Sequence, residues 1–313
     1  MISEGFSELS YAPHVTFVPA TAMFLTILSF NLIGDRLRNL LALLILILTP
    51  AQLASEPIKV DLELVITTDV SRSIDEEEAR LQREGVTAAL RSPYVLAAIQ
   101  SGYHKQIAIS YVDYSSRAFN EIIVDWRIIK DKASAEGFAN TLISEPLTFG
   151  RRTSISDALE LAAQMIGENN FVGRHRVIDI AGDGPNNHGR LVEDVRRDVV
   201  RKGITINGLP IVNNNPGFGT RFNLPDLDKY YRGCVIGGTG AFLVIAKDFP
   251  DFARVIRRKL IFEIANVTLP RAQIIPAAAT TSPITGSGYV YEKGCDIGER
   301  MWWRIWQDQE LEP

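Results

Sequence analysis

The chain has 313 residues, 46% of them apolar and 22% charged, with a formal net charge of -4. Such proportions support a sizeable core and exclude wholesale disorder. A mildly acidic chain without a basic run also excludes nucleic acid as a natural partner. Its two cysteines, Cys234 and Cys295, lack the spacing of a zinc site or a redox pair and are expected to form one disulfide in an exported protein.

Residues 1–54 differ from the rest. Val15 to Gly34 is mostly apolar, Asp35-Arg36-Leu37-Arg38-Asn39 interrupts, and Leu40 to Leu48 is apolar again. Arg36 and Arg38 ahead of LLALLILIL, followed by Thr49-Pro50-Ala51-Gln52-Leu53-Ala54, have the layout of a signal peptide with small residues near the cut. Export to the periplasm or medium is the expectation, with an uncleaved membrane anchor as the alternative. Residues 1–34 are then either a first membrane segment or an extension from too early a start codon.

Lys59 to Ser73 (KVDLELVITTDVSRS) opens the main domain. Its β-branched run is the length of one buried parallel strand. The strand delivers Asp69, Ser71 and Ser73 to its C-terminal edge, where open α/β sheets place their ligand sites. Ile74 to Gln100 reads as a helix broken at Ser92-Pro93, with Asp75, Glu76, Glu77 and Glu78 at the positive end of its dipole. Ser73 and Glu76 spell a capping box for it. Gln106 to Tyr114 and Ala118 to Trp126, separated by Ser115-Ser116-Arg117, predict an antiparallel hairpin at a sheet edge. Lys132 to Ile143 follows as a short helix.

After the loop Thr148 to Arg152, Thr153 opens a helix over Ser154 to Ile166, and Arg176 to Ala181 is a second buried strand ending in Gly182-Asp183-Gly184-Pro185-Asn186-Asn187. Leu191 to Lys202 is helical, Ile204 to Ile211 a strand, Val212 to Pro225 a long polar loop and Asp226 to Gly233 a short helix. Ala241 to Ala246 is a last strand and Phe249 to Ile264 a closing helix. This alternation predicts an α/β fold, a doubly wound and mostly parallel sheet with helices on both faces and one antiparallel edge strand. The domain spans 55–265. Residues 266–313 are a linker over Pro270 to Gly288 and a tail, whose aromatic-basic patch Met301 to Trp306 is expected to pack back on the domain.

Three separated segments thus end at one edge with oxygen-bearing side chains: Asp69, Ser71 and Ser73, then Thr153, then Asp183. Oxygen-only ligands suit a hard divalent cation. The pattern Asp-Xaa-Ser-Xaa-Ser, a Thr opening a helix and an Asp-Gly after a strand resembles the von Willebrand factor A domain, over about Lys59 to Ala265. Gly182 to Asn187 with Ile206 to Pro210 is closer still to an uncharacterised set of exported bacterial proteins carrying this domain. The resemblance implies a metal-ion-dependent adhesion site formed by Asp69, Ser71, Ser73, Thr153 and Asp183. It implies Mg²⁺ as cofactor, with Mn²⁺ or Ca²⁺ as alternatives, and a protein partner presenting Asp or Glu. The family's Gly-Xaa-Thr is here Gly150-Arg151-Arg152-Thr153, one residue longer.

Two carboxylates and three neutral hydroxyls leave a bound cation much of its charge, which suits capture of a partner's carboxylate better than turnover. The chain therefore reads as a binding module of the bacterial envelope, not an enzyme. A metal-dependent hydrolase on the same site is the alternative, although the second acid expected two residues after Asp69 is Ser71 and only His188 is near. Gly237-Gly238-Thr239-Gly240 fails the spaced dinucleotide fingerprint. Asn186, Asn187 and His188 are further candidates for the rim of the site, Arg151 and Arg152 could meet an acidic partner, and Asp113 is expected either to accept a hydrogen bond behind the ligands or to face the sheet edge.

Overall fold

The computed structural model describes residues 13–48, 56–212, 224–265, 275–276 and 289–310. It divides into two units, Met1–Ser55 and Glu56–Pro313. In the first, helix α1 (Pro13–Leu48) runs unbroken through the charged residues 35–39. Asp35 and Arg38 sit three residues apart on its surface, 3.8 Å from one another, an exposed pair of opposite charge within one turn of the helix. Phe17–Leu41 is long and apolar enough to cross a membrane. The expected cleavage region, Thr49 to Ala54, lies outside the described residues.

The second unit is built on a sheet of seven strands: β1 (Ile58–Asp69), β2 (Ile107–Tyr114), β3 (Glu121–Ile129), β4 (Phe171–Gly182), β5 (Thr205–Pro210), β6 (Phe242–Leu243) and β7 (Ile275–Pro276). Their order is β3-β2-β1-β4-β5-β6-β7. β1, β2, β4, β5 and β6 are parallel, β3 pairs antiparallel with β2 at one edge, and the two-residue β7 pairs antiparallel with β6 at the other. The hairpin strand β3 begins later than the sequence suggests because Arg117–Phe119 first makes a 3-10 turn.

Helices cover both faces. On one lie α2 (Glu76–Leu90), α3 (Pro93–Ser101), α4 (Lys132–Ser144) and α8 (Phe249–Ala265); on the other lie α5 (Ile155–Glu168), α6 (Val192–Arg201) and the short α7 (Leu227–Tyr230). Alternation along β1 feeds two cores, Leu62, Leu64 and Ile66 packing with Val86, Leu90 and Phe252, and Val65 packing with Leu159, Val195 and Tyr231. Since both faces are buried, the strand reads in sequence as a continuous apolar run. Gly85 lets α2 approach α8 closely, for a Cβ there would lie 2.7 Å from the Phe252 ring.

The last strand predicted, Ala241 to Ala246, shrinks to β6, with Ala246 making only an isolated bridge to Ile211. Of the polar loop Val212 to Pro225, residues 213–223 lie outside the description, as does most of the predicted linker. The tail does return to the domain. Cys234 and Cys295 form a disulfide with Cα atoms 5.4 Å apart, Tyr291 and Lys293 both reach Asp226, and α9 (Ile297–Glu310) follows.

Candidate metal centre

The register of β1 levels three strand ends. Thr68 lies beside Asp113 and Ala181, and Asp69 beside Tyr114. The loops after β1, β2 and β4 therefore leave from one edge. Asp69 is fully buried, and its Oδ1 accepts the Ser71 amide at 2.7 Å, which turns the chain sharply at the strand end. The turn continues through Ile74 N to Ser71 O. Helix α2 consequently starts later than the capping box read from sequence. Asp75 is its cap, paired reciprocally with Glu78, and Ser73 is released from capping to face Asp183.

The five predicted residues meet in one hydrogen-bonded chain. Thr153 Oγ1 donates to Ser71 Oγ at 3.0 Å, Ser71 and Ser73 hydroxyls lie 3.2 Å apart, and Ser73 Oγ donates to Asp183 Oδ1 at 2.8 Å. With the Ser73 proton spent on Asp183, Ser71 is left to donate to Ser73. The hydroxyls therefore point as a relay towards the carboxylate.

The extra residue in Gly150-Arg151-Arg152-Thr153 is taken up by anchoring the loop at both ends. Gly150 N bonds Val70 O, and Ser154 N bonds Ser115 O. Ser115 Oγ donates to Arg152 O. Asn187 then clamps Thr153, its amide on the Thr153 carbonyl at 2.8 Å and its Oδ1 on the Thr153 amide at 3.0 Å. Helix α5 begins one residue later than expected, capped by Ser154, whose hydroxyl accepts the Asp157 amide.

Burial holds both carboxyls above their ordinary range. Asp69 is pushed well up, first by burial and then by the neighbouring Asp183, while burial raises Asp183 to about 6. Glu78 is also raised, to about 7, mainly by burial. Beneath the site the Asp69 Oδ2 and the hydroxyls of Tyr114 and Tyr231 are buried without a hydrogen-bond partner among the described residues. They converge on Gly182, where a Cβ would lie 2.6 Å from the Tyr114 hydroxyl and 3.1 Å from both Asp69 Cβ and the Tyr231 hydroxyl. An orphaned carboxylate oxygen and a second acid, with three hydroxyls alongside that can rotate to offer lone pairs, fit a small hard cation. Among the described residues no three His, Cys, Asp or Glu side chains cluster to hold a metal, so hydroxyls must supply the remaining ligands.

The other candidates separate. Asp113 is buried under the rim, accepting from Arg83 Nη2 at 2.6 Å and Thr68 Oγ1 at 3.0 Å, and so braces the loops. Asn186 is fully buried, its side chain joining Ser156 N to Arg190 O and to Glu299 of α9. His188 enters through its carbonyl, which accepts the Ser154 hydroxyl. Arg152 stacks on the Trp302 ring of α9 at 3.3 Å. Arg151, with Arg72 and Arg117 on the adjoining loops, is exposed. A cleft of about 380 Å³ lined by Phe119, Glu121, Thr148 and Phe149 opens beside the Thr153 loop. Sequence reasoning missed the clamping role of Asn187, and also Gln82, whose Nε2 holds the Asp69 carbonyl at 3.1 Å. Both act on backbone atoms, which leave no residue-type signature.

The family described as "Protein of unknown function (DUF1194)" matches residues 59–268. Glutathione transport system permease protein GsiD of Salmonella typhimurium (strain LT2) and of Escherichia coli O1:K1 / APEC are each 51% identical over 41 residues, 13% of this chain. The match spans 14% of the length of those curated relatives. Among solved structures, the pilus adhesin SpaC from Lactobacillus rhamnosus GG is 11% identical, covering 66% of this chain and 30% of its own at a TM-score of 0.47. Proximal thread matrix protein 1 from the mussel byssus, with a zinc-occupied MIDAS motif, is 16% identical over 67% of this chain and 49% of its own at 0.45. BatB from Bacteroides thetaiotaomicron is 17% identical over 66% of this chain and 100% of its own at 0.41. At these identities and scores the likeness says nothing of function.

Proposed function

The chain belongs to the DUF1194 family of proteins of unknown function, so its activity is read from its own site, and we propose that it is a metal-dependent protein-binding module of the bacterial envelope. Asp69, Ser71, Ser73, Thr153 and Asp183 hold the divalent cation, Mg²⁺ or else Mn²⁺ or Ca²⁺. When bound, the cation supplies an electrophilic point that attracts a carboxylate of the partner. The observation that carries this reading is the single hydrogen-bonded chain joining all five residues beside the orphaned Asp69 Oδ2.

This chain's residues divide the work. Asp69 and Asp183 supply charge, and the three hydroxyls supply neutral lone pairs. Asn187 and Ser115 fix the Thr153 loop. Arg72, Arg117 and Arg151, exposed and without an ion pair among the described residues, favour an acidic partner. The cleft at Phe119 and Phe149 offers apolar surface beside the docking point. An envelope location is supported by the disulfide and by the apolar helix α1. The reading is binding without turnover; the hydrolase alternative would draw on His188, whose carbonyl accepts from Ser154 and Ser156.

The test is capture of partners from native envelope with the wild type and with Thr153→Ala, each with Mg²⁺ and with chelator. Capture should need Mg²⁺ and should fall further in Thr153→Ala than Mg²⁺ affinity does. Equal capture in chelator would refute docking through a metal. Mg²⁺-dependent hydrolysis of a phosphate or ester lost in His188→Ala would favour an enzyme.

A further inference from the structure

Away from the strand ends, α8 lays an amine against the middle of the sheet. Lys259 is 0% exposed. Its Nζ contacts Asp179 Oδ1 of β4 and lies 2.5 Å from Glu263 Oε1, one turn along α8. Asn207 of β5 donates to the same Glu263 oxygen at 2.6 Å, and its own Oδ1 is occupied by the Phe242 amide at 3.0 Å. The Phe242 ring closes the far side, 5.3 Å from the amine. Two acids share one base, and Asp179 Oδ2 and Glu263 Oε2 are buried without a partner among the described residues.

Such a group of charges is costly as an ion cluster. Removing an ammonium and two carboxylates from water is strongly unfavourable, and among the described residues the second acid finds no second base. Burial and the neighbouring Asp179 hold the Glu263 carboxyl well above its ordinary range. Its protonated form is thereby favoured while it still touches the amine. A nucleophile, an acyl group and a proton carrier are thus held in contact, an arrangement whose effective molarity reaches about 10⁵ M or more in well-oriented systems.

We propose that Lys259 and Asp179 condense into an intramolecular amide that ties the last helix of the domain to β4. Once the ammonium proton of Lys259 has passed to the Asp179 carboxylate, the freed Nζ lone pair attacks Asp179 Cγ, so that an N–C bond forms. The carboxyl C–O bond breaks and its hydroxyl leaves with one amine proton as water, Glu263 carrying that proton from nitrogen to oxygen. No oxidant or co-reactant is consumed. Asp179 is the acyl group, and not Asn207, because the amine touches the Asp179 carboxyl while Asn207 is turned towards Glu263 and Phe242. The product removes both charges of the pair from the core and leaves Glu263 neutral beside an amide.

The test is a tryptic map of the reduced and alkylated full chain. A branched peptide joining Val177–Arg190 to Lys259–Arg271, lighter than their sum by one water, is the expected result. Recovery of Val177–Arg190 and Leu260–Arg271 only as separate linear peptides, cut after a free Lys259, overturns the proposal. So does a branch joining Lys259–Arg271 to Gly203–Arg221 with loss of ammonia, which would make Asn207 the acyl group. Glu263→Gln keeps the shape and the contact with Asn207 but cannot carry the proton. It should leave at least tenfold more of the linear pair, and a map equal to the wild type's removes Glu263 from the step.

Discussion

Replacing Asp183 with Asn separates the charge of the candidate centre from its shape. Asn keeps an oxygen able to accept from Ser73, so the hydroxyl relay survives. In the metal-free protein the Asp183 carboxyl is raised from 3.8 to about 6, chiefly by burial. The folded state then binds this proton more tightly than the unfolded state does. Stability from this group is present at low pH and is lost as pH rises through about 4 to 6. Two pKa units amount to about 3 kcal/mol, which the partial exposure of Asp183 reduces to about 2 kcal/mol. In chelator at pH 7.5, Asp183→Asn should therefore melt above the wild type, by about 4–8 °C for a domain of this size. Added Mg²⁺ should raise the wild type's melting temperature and leave the variant unmoved. Wild-type Mg²⁺ affinity should also fall as pH drops through about 6, because protonation of Asp183 competes with the cation. Differential scanning calorimetry at several pH values reads all three effects. A variant no more stable than wild type in chelator, or one still stabilised by Mg²⁺, would refute the reasoning.

Three other outcomes follow from named contacts. Asp69→Ala should abolish Mg²⁺ and Mn²⁺ binding in calorimetry while the circular dichroism spectrum is retained, because Asp69 contributes a buried charged oxygen at a loop edge. Cys295→Ser should cost up to about 4 kcal/mol, from the loop entropy of a bridge closing 61 residues, and should expose residues 289–310 to protease without reduction of the core. Arg83→Met should destabilise by about 3–5 kcal/mol in urea melts, because it strands the buried Asp113 carboxylate; a smaller loss in the double variant Arg83→Met with Asp113→Asn would confirm that the unpaired charge is the cause.

The sequence alone determined the layers of this protein and singled out the five candidate residues that the fold brings together. β1 from Val60 and β4 from Val177 are buried on both faces, so their apolar runs could be read without knowing their neighbours, and an oxygen-rich turn follows each. Asp69, Ser71 and Ser73 are close along the chain, and their convergence is local. Thr153 and Asp183 join them because parallel strands of equal register end at one edge. What only the tertiary structure decided was each assignment made by competition between partners. Ser73 with Glu76 is a sound capping box by residue type, but the turn at Ser71 moves the cap to Asp75 and gives Ser73 to Asp183. Asn186 and Asn187 look alike in sequence, yet one is buried under α9 and the other clamps Thr153 through the backbone. Lys259, Asp179 and Glu263 lie on two elements 80 residues apart, within patterns that read simply as helix and strand. A single charged residue in an apolar pattern does not say what it will meet, since side-chain pairing across a sheet and helix is fixed by packing and not by local preference.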